Sequence, residues 1–249
     1  MAVFFELLAL VLFLPSSTSA THVHLFSVLA PGEGGYAAFR IPGIVSDGNR
    51  ITVVAEGRKT GCEDFHGQHD IVSKRSVDGG LTWGDLVVVA DAPKLFGCDP
   101  GTPSTCGSGC GLCQFWDPTP VFDASSGQLH LLAAYASSNG TSARLHGQQD
   151  TFMWSSDDFG GSWLAKPRNV SSMLGVWPRA TPANGHGIQL GTTTRAPASA
   201  HDGRLIVPAY GSPGSHGGEL STTFYSDDHG ATWRQGESFG PGTAEGDLA

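Results

Sequence analysis

Three features of the 249-residue sequence predict an all-β fold built as a β-propeller. The first is composition: 35 glycines, 15 prolines and only 15% charged residues, without long Leu/Glu/Lys-rich helical patterns. Such a chain has many turns and short strands. The second is an eight-residue pattern, S-x-D-x-G-x-[ST]-W, that occurs three times. It reads SVDGGLTW at 76–83, SDDFGGSW at 156–163 and SDDHGATW at 226–233, at intervals of 80 and 70 residues. The third is what lies between: apolar runs such as IPGIVSDGNRITVVAEGR, TPVFDASSGQLHLLAAYA and HDGRLIVPAYG, each reading as strand, short turn, strand. Roughly four strands per interval make each unit one propeller blade.

The repeated box is expected to be a tight hairpin turn. Its Ser and Asp side chains accept from backbone N–H groups that would otherwise lack ladder partners. The Gly at the fifth position permits positive φ, and the closing Trp returns to the strand and packs its ring on neighbours. The boxes are therefore structural, with the repeated Asp at 78, 158 and 228 serving the turn and not a ligand.

Propellers close with about four to eight blades. Residues 21–249 supply about three, so the sequence is expected to be the N-terminal part of a longer chain. The final stretch GPGTAEGDLA carries no capping signal.

Residues 1–20 are expected to be a signal peptide cut after Ala20. The apolar run VFFELLALVLFL is followed by Pro15 and SSTSA, although Glu6 interrupts it and no basic residue precedes it. The expected setting is secreted or lumenal, extracellular or lysosomal, and the run is too short for a membrane span. A net charge of −9 argues against nucleic acid or an anionic membrane as partner. Cys98, Cys106, Cys110 and Cys113 crowd into sixteen residues, while Cys62 stands apart. In an oxidising compartment they are expected to form one or two intramolecular disulfides. A zinc loop would need a second CxxC pair or a nearby His. No metal and no cofactor are expected, and His186 and His216 have no partner His at ligand spacing. Sequons at Asn139 and Asn169 suit glycosylation.

One stretch resists a purely structural reading. In YAAFRIPGIV, positions 36–45, Arg40 and Pro42 interrupt an alternating strand. Proline belongs at an edge or a bulge, and a guanidinium there must reach water, a buried anion or a ligand. Phe39-Arg40-Ile41-Pro42 followed by repeated Asp boxes resembles the sialidase (neuraminidase) family, and GHGIQL at 185–190 and GRLIVPAY at 203–210 add to the likeness. The resemblance covers about Tyr36 to Trp233. It implies a six-bladed propeller, of which this chain holds about the first half, and assigns Arg40 to a three-arginine clamp on the sialic acid carboxylate. A planar fork there gives bidentate recognition, and Pro42 is expected to end the inner strand's ladder.

The resemblance also implies an acid/base Asp on the following loop. Asp64 fits the spacing; Glu63 is the wrong residue type, and Asp70, at the start of HDIVSKRS, looks structural. Arg58 matches an arginine beside the sugar's O4, against the plainer reading of a surface salt bridge. Asp117 matches a polar residue on the O4/N-acyl side, against a plain turn carboxylate, and Tyr210 an aromatic on the pocket wall. Family members attack the anomeric carbon with a Tyr activated by a Glu. That Tyr and the second and third arginines have no counterpart here, and Glu245 is not given the activating role.

The expected function is exo-α-sialidase action on glycoproteins, glycolipids or oligosaccharides, with the isolated chain inactive. A non-catalytic Asp-box propeller that binds glycans or peptides is the alternative. A glycosidase for neutral polysaccharide fits less well, since it needs no carboxylate clamp.

Overall fold

The computed structural model describes residues 27–64, 67–98, 112–138, 150–175, 177, 179–191, 200–213, 218–240 and 242–243. The expected signal peptide, Cys106, Cys110, the sequon at Asn139, His216 and Glu245 lie outside the described residues.

The first blade is a four-stranded meander of β1 (Ala38–Ser46), β2 (Ile51–Arg58), β3 (Gly67–Ser76) and β4 (Val87–Ala90), all neighbours antiparallel. After α1 (Ala92–Phe96) comes the second, of β5 (Leu112–Asp123), β6 (Gln128–Ser138), β7 (Asp150–Ser156) and β8 (Arg168–Asn169). A three-residue parallel pairing, Gly67 to Leu112 through His69 to Gln114, joins β3 to β5 and so the two blades. In the third blade the inner strand is split into β9 (Arg179–Pro182) and β10 (Ile188–Gln189). Both pair with β11 (Leu205–Ser212), which leads to β12 (Leu220–Ser226) and β13 (Arg234–Gln235). The inner strands β1, β5 and β9/β10 touch in succession, so the three blades form an arc.

The hydrophobic core lies between blades, as strand alternation requires. On β6 and β7, Leu131, Ala133, Phe152 and Trp154 face the first blade's Val54 and Ile71. Their neighbours Leu132 and Met153 face the third blade's Leu205, Val207 and Phe224. A disulfide from Cys98 to Cys113 ties the end of α1 to β5. Among the described residues Cys62 is an exposed free thiol.

Each box is the turn from third to fourth strand of its blade, and the three are built alike. Ser Oγ accepts from the Gly N–H at position five at 2.9, 2.7 and 2.8 Å in the three boxes. Asp Oδ1 accepts from the N–H of position seven at 2.9, 2.8 and 2.7 Å, and the hydroxyl there donates to Oδ2. Position four is left-handed too: Gly79, Phe159 and His229 have φ of 72°, 59° and 57°. These bonds, first that from the Thr82 hydroxyl, hold Asp78 down at about 2.

The boxes also join blades. Trp163 Nε1 donates to Ser73 Oγ on β3 at 3.0 Å, and Trp233 Nε1 reaches Met153 Sδ on β7 at 3.3 Å. In each case the tryptophan lands on the preceding blade.

Candidate active site

The inner strands carry matching interruptions. On β1 the register shifts between Arg40 and Gly43, and on β5 between Trp116 and Thr119. Ile41 and Asp117 sit there at φ 52° and 51°, each before a proline. A residue before proline is normally extended, and a β-branched residue at positive φ is an outlier that its surroundings must hold. Pro42 does not end the ladder, contrary to the sequence expectation. It sits in a bulge, after which pairing resumes at Gly43 opposite Val54, because a bulge accommodates the missing donor. Gly43 lets the inner strands close up: a Cβ there would collide with the Gly185 carbonyl and Pro120.

The bulges aim side chains at one end of the arc. Arg40 pairs in register with Glu56 of β2. Its Nη1 donates to Asp64 Oδ1 at 2.6 Å and to the Cys62 carbonyl at 3.2 Å. Arg58 Nη1 donates to the same Oδ1 at 2.7 Å and the same carbonyl at 2.6 Å. One carboxylate oxygen and one carbonyl thus bridge two guanidinium groups. The Arg40 and Asp64 side chains are 41% and 42% exposed, so both remain open to a ligand, whereas Arg58 is 1% exposed.

Arg58 is therefore no surface salt bridge. Its Nε and Nη2 donate to Glu56 Oε2 at 2.9 and 2.5 Å, within a pair that water does not reach. Glu56 Oε1 accepts from the Asp117 N–H at 3.1 Å. Burial pushes the Glu56 carboxyl up, and the Arg58 charge opposes that. Asp117 is buried at the β5 bulge, and its Oδ2 accepts from the Tyr210 hydroxyl at 2.9 Å. All five candidate residues thus lie on one hydrogen-bonded path: Arg40, Asp64, Arg58, then through Glu56 to Asp117 and Tyr210.

Glu56 is the member that sequence reasoning passed over. The signal was present: in Glu56-Gly57-Arg58 the opposite charges are two apart on a strand and share a face. Asp70 is held in the interior by Tyr36, whose hydroxyl donates at 2.8 Å, and by Gln68 and the Ala92 N–H. Burial raises its carboxyl. It is a structural residue, well away from solvent. Glu63 is exposed and His186 lies in the loop between β9 and β10. No cluster of metal-ligating side chains occurs among the described residues.

The profile of the BNR repeat-like domain family matches residues 65–244. The chain belongs to that family. This BNR-repeat chain is 29% identical over 225 residues to a sialidase of Micromonospora viridifaciens, covering 86% of its own length and 31% of the relative's. Its fold matches a Hadza microbial sialidase with TM-score 0.71 at 22% identity, over 87% of this chain and 40% of that one. It matches the intramolecular trans-sialidase from Ruminococcus gnavus with TM-score 0.64 at 18% identity, over 84% and 62%. The arc is thus a partial sialidase-type β-propeller, and the BNR-repeat chain spans about a third to three-fifths of the relatives it matches.

Proposed function

We propose that the BNR-repeat chain carries the first half of an exo-α-sialidase site for terminal sialic acids on glycoproteins, glycolipids or oligosaccharides. The observation that carries this reading is the half-exposed Arg40–Asp64 pair at the bulged end of the inner strands. A neutral sugar offers that guanidinium only hydroxyl acceptors, whereas a carboxylate offers it a charged, bidentate partner.

Arg40 binds the substrate carboxylate in this account, and Asp64 is the acid/base. An arriving carboxylate competes with Asp64 for Arg40, and the displaced Asp64 carboxyl is left beside the glycosidic oxygen. There it donates a proton to the leaving group and later takes one from water. Arg58, anchored by Glu56, keeps its hold on Asp64 and limits how far the carboxyl swings. Asp117 and Tyr210 form the wall facing the sugar's O4 and N-acyl side. Of the three-arginine clamp and Tyr nucleophile, residues 1–249 supply Arg40, so the chain alone is expected to bind without turning over. A secreted or lumenal setting agrees with the Cys98–Cys113 disulfide.

The test uses saturation-transfer NMR with methyl α-sialoside and methyl β-galactoside on the same protein. Transfer to the sialoside alone is expected; equal transfer to both, or none to the sialoside, would remove the basis for the reading. In any longer form that turns over, Asp64→Ala should harm sialyl-lactose hydrolysis far more than aryl-sialoside hydrolysis.

A further inference from the structure

The two junctions between blades are built to one plan and differ in what the box sits on. In each, the Gly at position five of a box packs on a second-strand residue of the preceding blade. That residue is the register partner of the one just before the preceding box's Ser. At the first junction it is Thr52, opposite Arg75 and beneath Gly160; at the second it is His130, opposite Ser155 and beneath Gly230. Thr52 is satisfied there: its Oγ1 donates to the carbonyl of Phe159, position four of the box, at 2.7 Å. His130 is not. Its Nδ1 shares a hydrogen bond with Ser155 Oγ at 2.9 Å, but its Nε2 meets no hydrogen-bond partner among the described residues. The residue is 2% exposed, and a Cβ on Gly230 would lie 2.9 Å from Nε2, so the seated box itself keeps water away.

A neutral ring in that place leaves one nitrogen without a bond, whereas protonation puts a second N–H and a buried cation there. Three charged or titratable side chains face it. Arg168 on β8 donates to the Gly230 carbonyl and, at 2.9 Å, to that of Ala231, and so holds the same box. Asp123 at the end of β5 is engaged by His229 Nδ1 at 2.7 Å, and the His229 side chain is 57% exposed. Burial pushes the His130 imidazole below its ordinary value; the Asp123 charge and the His229 backbone oppose that shift, and the Arg168 and His229 charges add to it.

We propose that His130 is an acid-sensitive latch on the junction of the second and third blades: the neutral ring seats the third Asp box, Ser226–Trp233, and protonation of the ring unseats it. The new cation repels Arg168 and loosens its hold on the box carbonyls. Because the folded value lies below the unfolded one of about 6.5, the latch holds fully above about pH 6.5 and weakens as pH falls below that. Thr52 does not titrate, so the first junction keeps its seat. The inference uses the blade junction alone and does not depend on the sialidase reading.

The test is hydrogen exchange of the 249-residue chain at about pH 7.5 and about pH 5, corrected for the intrinsic pH dependence of exchange. Protection of residues 226–233 is read against that of residues 156–163, the box seated on Thr52. The ratio should fall roughly threefold or more on acidification. His130→Gln, which keeps the size of the side chain, and His130→Thr, which copies the first junction, should each abolish the fall whatever they do to overall stability. His229→Asn should not abolish it, since protonated His229 pairs with Asp123 and would tighten the box in acid. A ratio independent of pH in the parent would overturn the proposal. So would a fall that survives both His130 substitutions, or one that vanishes in His229→Asn.

Discussion

Glu56 and Arg58 form an ion pair with both side chains essentially inaccessible to water, joined by contacts of 2.5 and 2.9 Å. Only the far Nη1 of Arg58 is turned toward Asp64. The pair thus anchors the candidate site from behind.

Removing one partner should strand the other as a buried charge, at a cost of about 3–5 kcal/mol. Glu56→Leu is therefore expected to lower Tm strongly. The double variant Glu56→Leu/Arg58→Met should regain most of the stability, since apolar groups of similar size can replace a buried pair. It should not regain sialoside affinity, because without Arg58 the Asp64 carboxylate is left to Arg40 alone and competes harder with the incoming carboxylate. Thermal melts paired with ligand titrations check this; recovery of both properties would count against the anchoring role.

In the proposed function, Asp64 competes with an incoming carboxylate for Arg40, to which it is hydrogen-bonded at 2.6 Å. Asp64→Asn, which removes the competing charge, should tighten sialoside binding several-fold while abolishing acid/base chemistry. Asp70→Asn is the contrast: it should lower Tm through the Tyr36 and Gln68 bonds and leave the sialoside Kd unchanged. NMR titration of both variants separates the two carboxylates.

The boxes hold the fold. Asp158→Ala removes acceptors for the Ser162 N–H and hydroxyl and for Ser156. The loss should be about 1 kcal/mol, or about 2–4 °C in Tm for a chain of this size. Ligand affinity should stay unchanged. A changed Kd at unchanged Tm would contradict a purely structural box.

Acid should weaken the blade junction at Asp123. Burial works against its charge, but bonds from Ser126, His229 and Gln189 win and hold it at about 2. Because the folded value lies below the unfolded one of about 3.9, its stabilisation is present above about pH 4 and is lost as pH falls toward 2. Asp123→Asn should therefore be less stable than the parent at neutral pH, with the gap narrowing toward pH 2. Melts across that range provide the check.

The strands, the three-blade repeat and the boxes were legible because each has a local cause: alternation, turn chemistry and a period. The motif around Arg40 singled out Arg40 and Asp64, and the structure joins the two by a hydrogen bond. Other features were not legible, because they depend on non-local partners. Nothing near Arg58 says that it is buried, since that follows from Glu56 and the β5 bulge closing over it. Pro42 reads as a strand end, and becomes a bulge only because β2 continues opposite it. The tryptophans read as packing residues, but their register on the preceding blade needs two blades in place.

The central claim is that Arg40 recognises a carboxylate, and one double comparison tests it most directly. Methyl α-sialoside and its uncharged carboxamide analogue are titrated against the parent and Arg40→Ala. A charge-assisted hydrogen bond contributes about 1.5–3 kcal/mol, so the parent should prefer the carboxylate by at least tenfold, and the variant should bind both alike. Equal affinity of the parent for the two ligands, or a preference that survives in Arg40→Ala, would contradict the account.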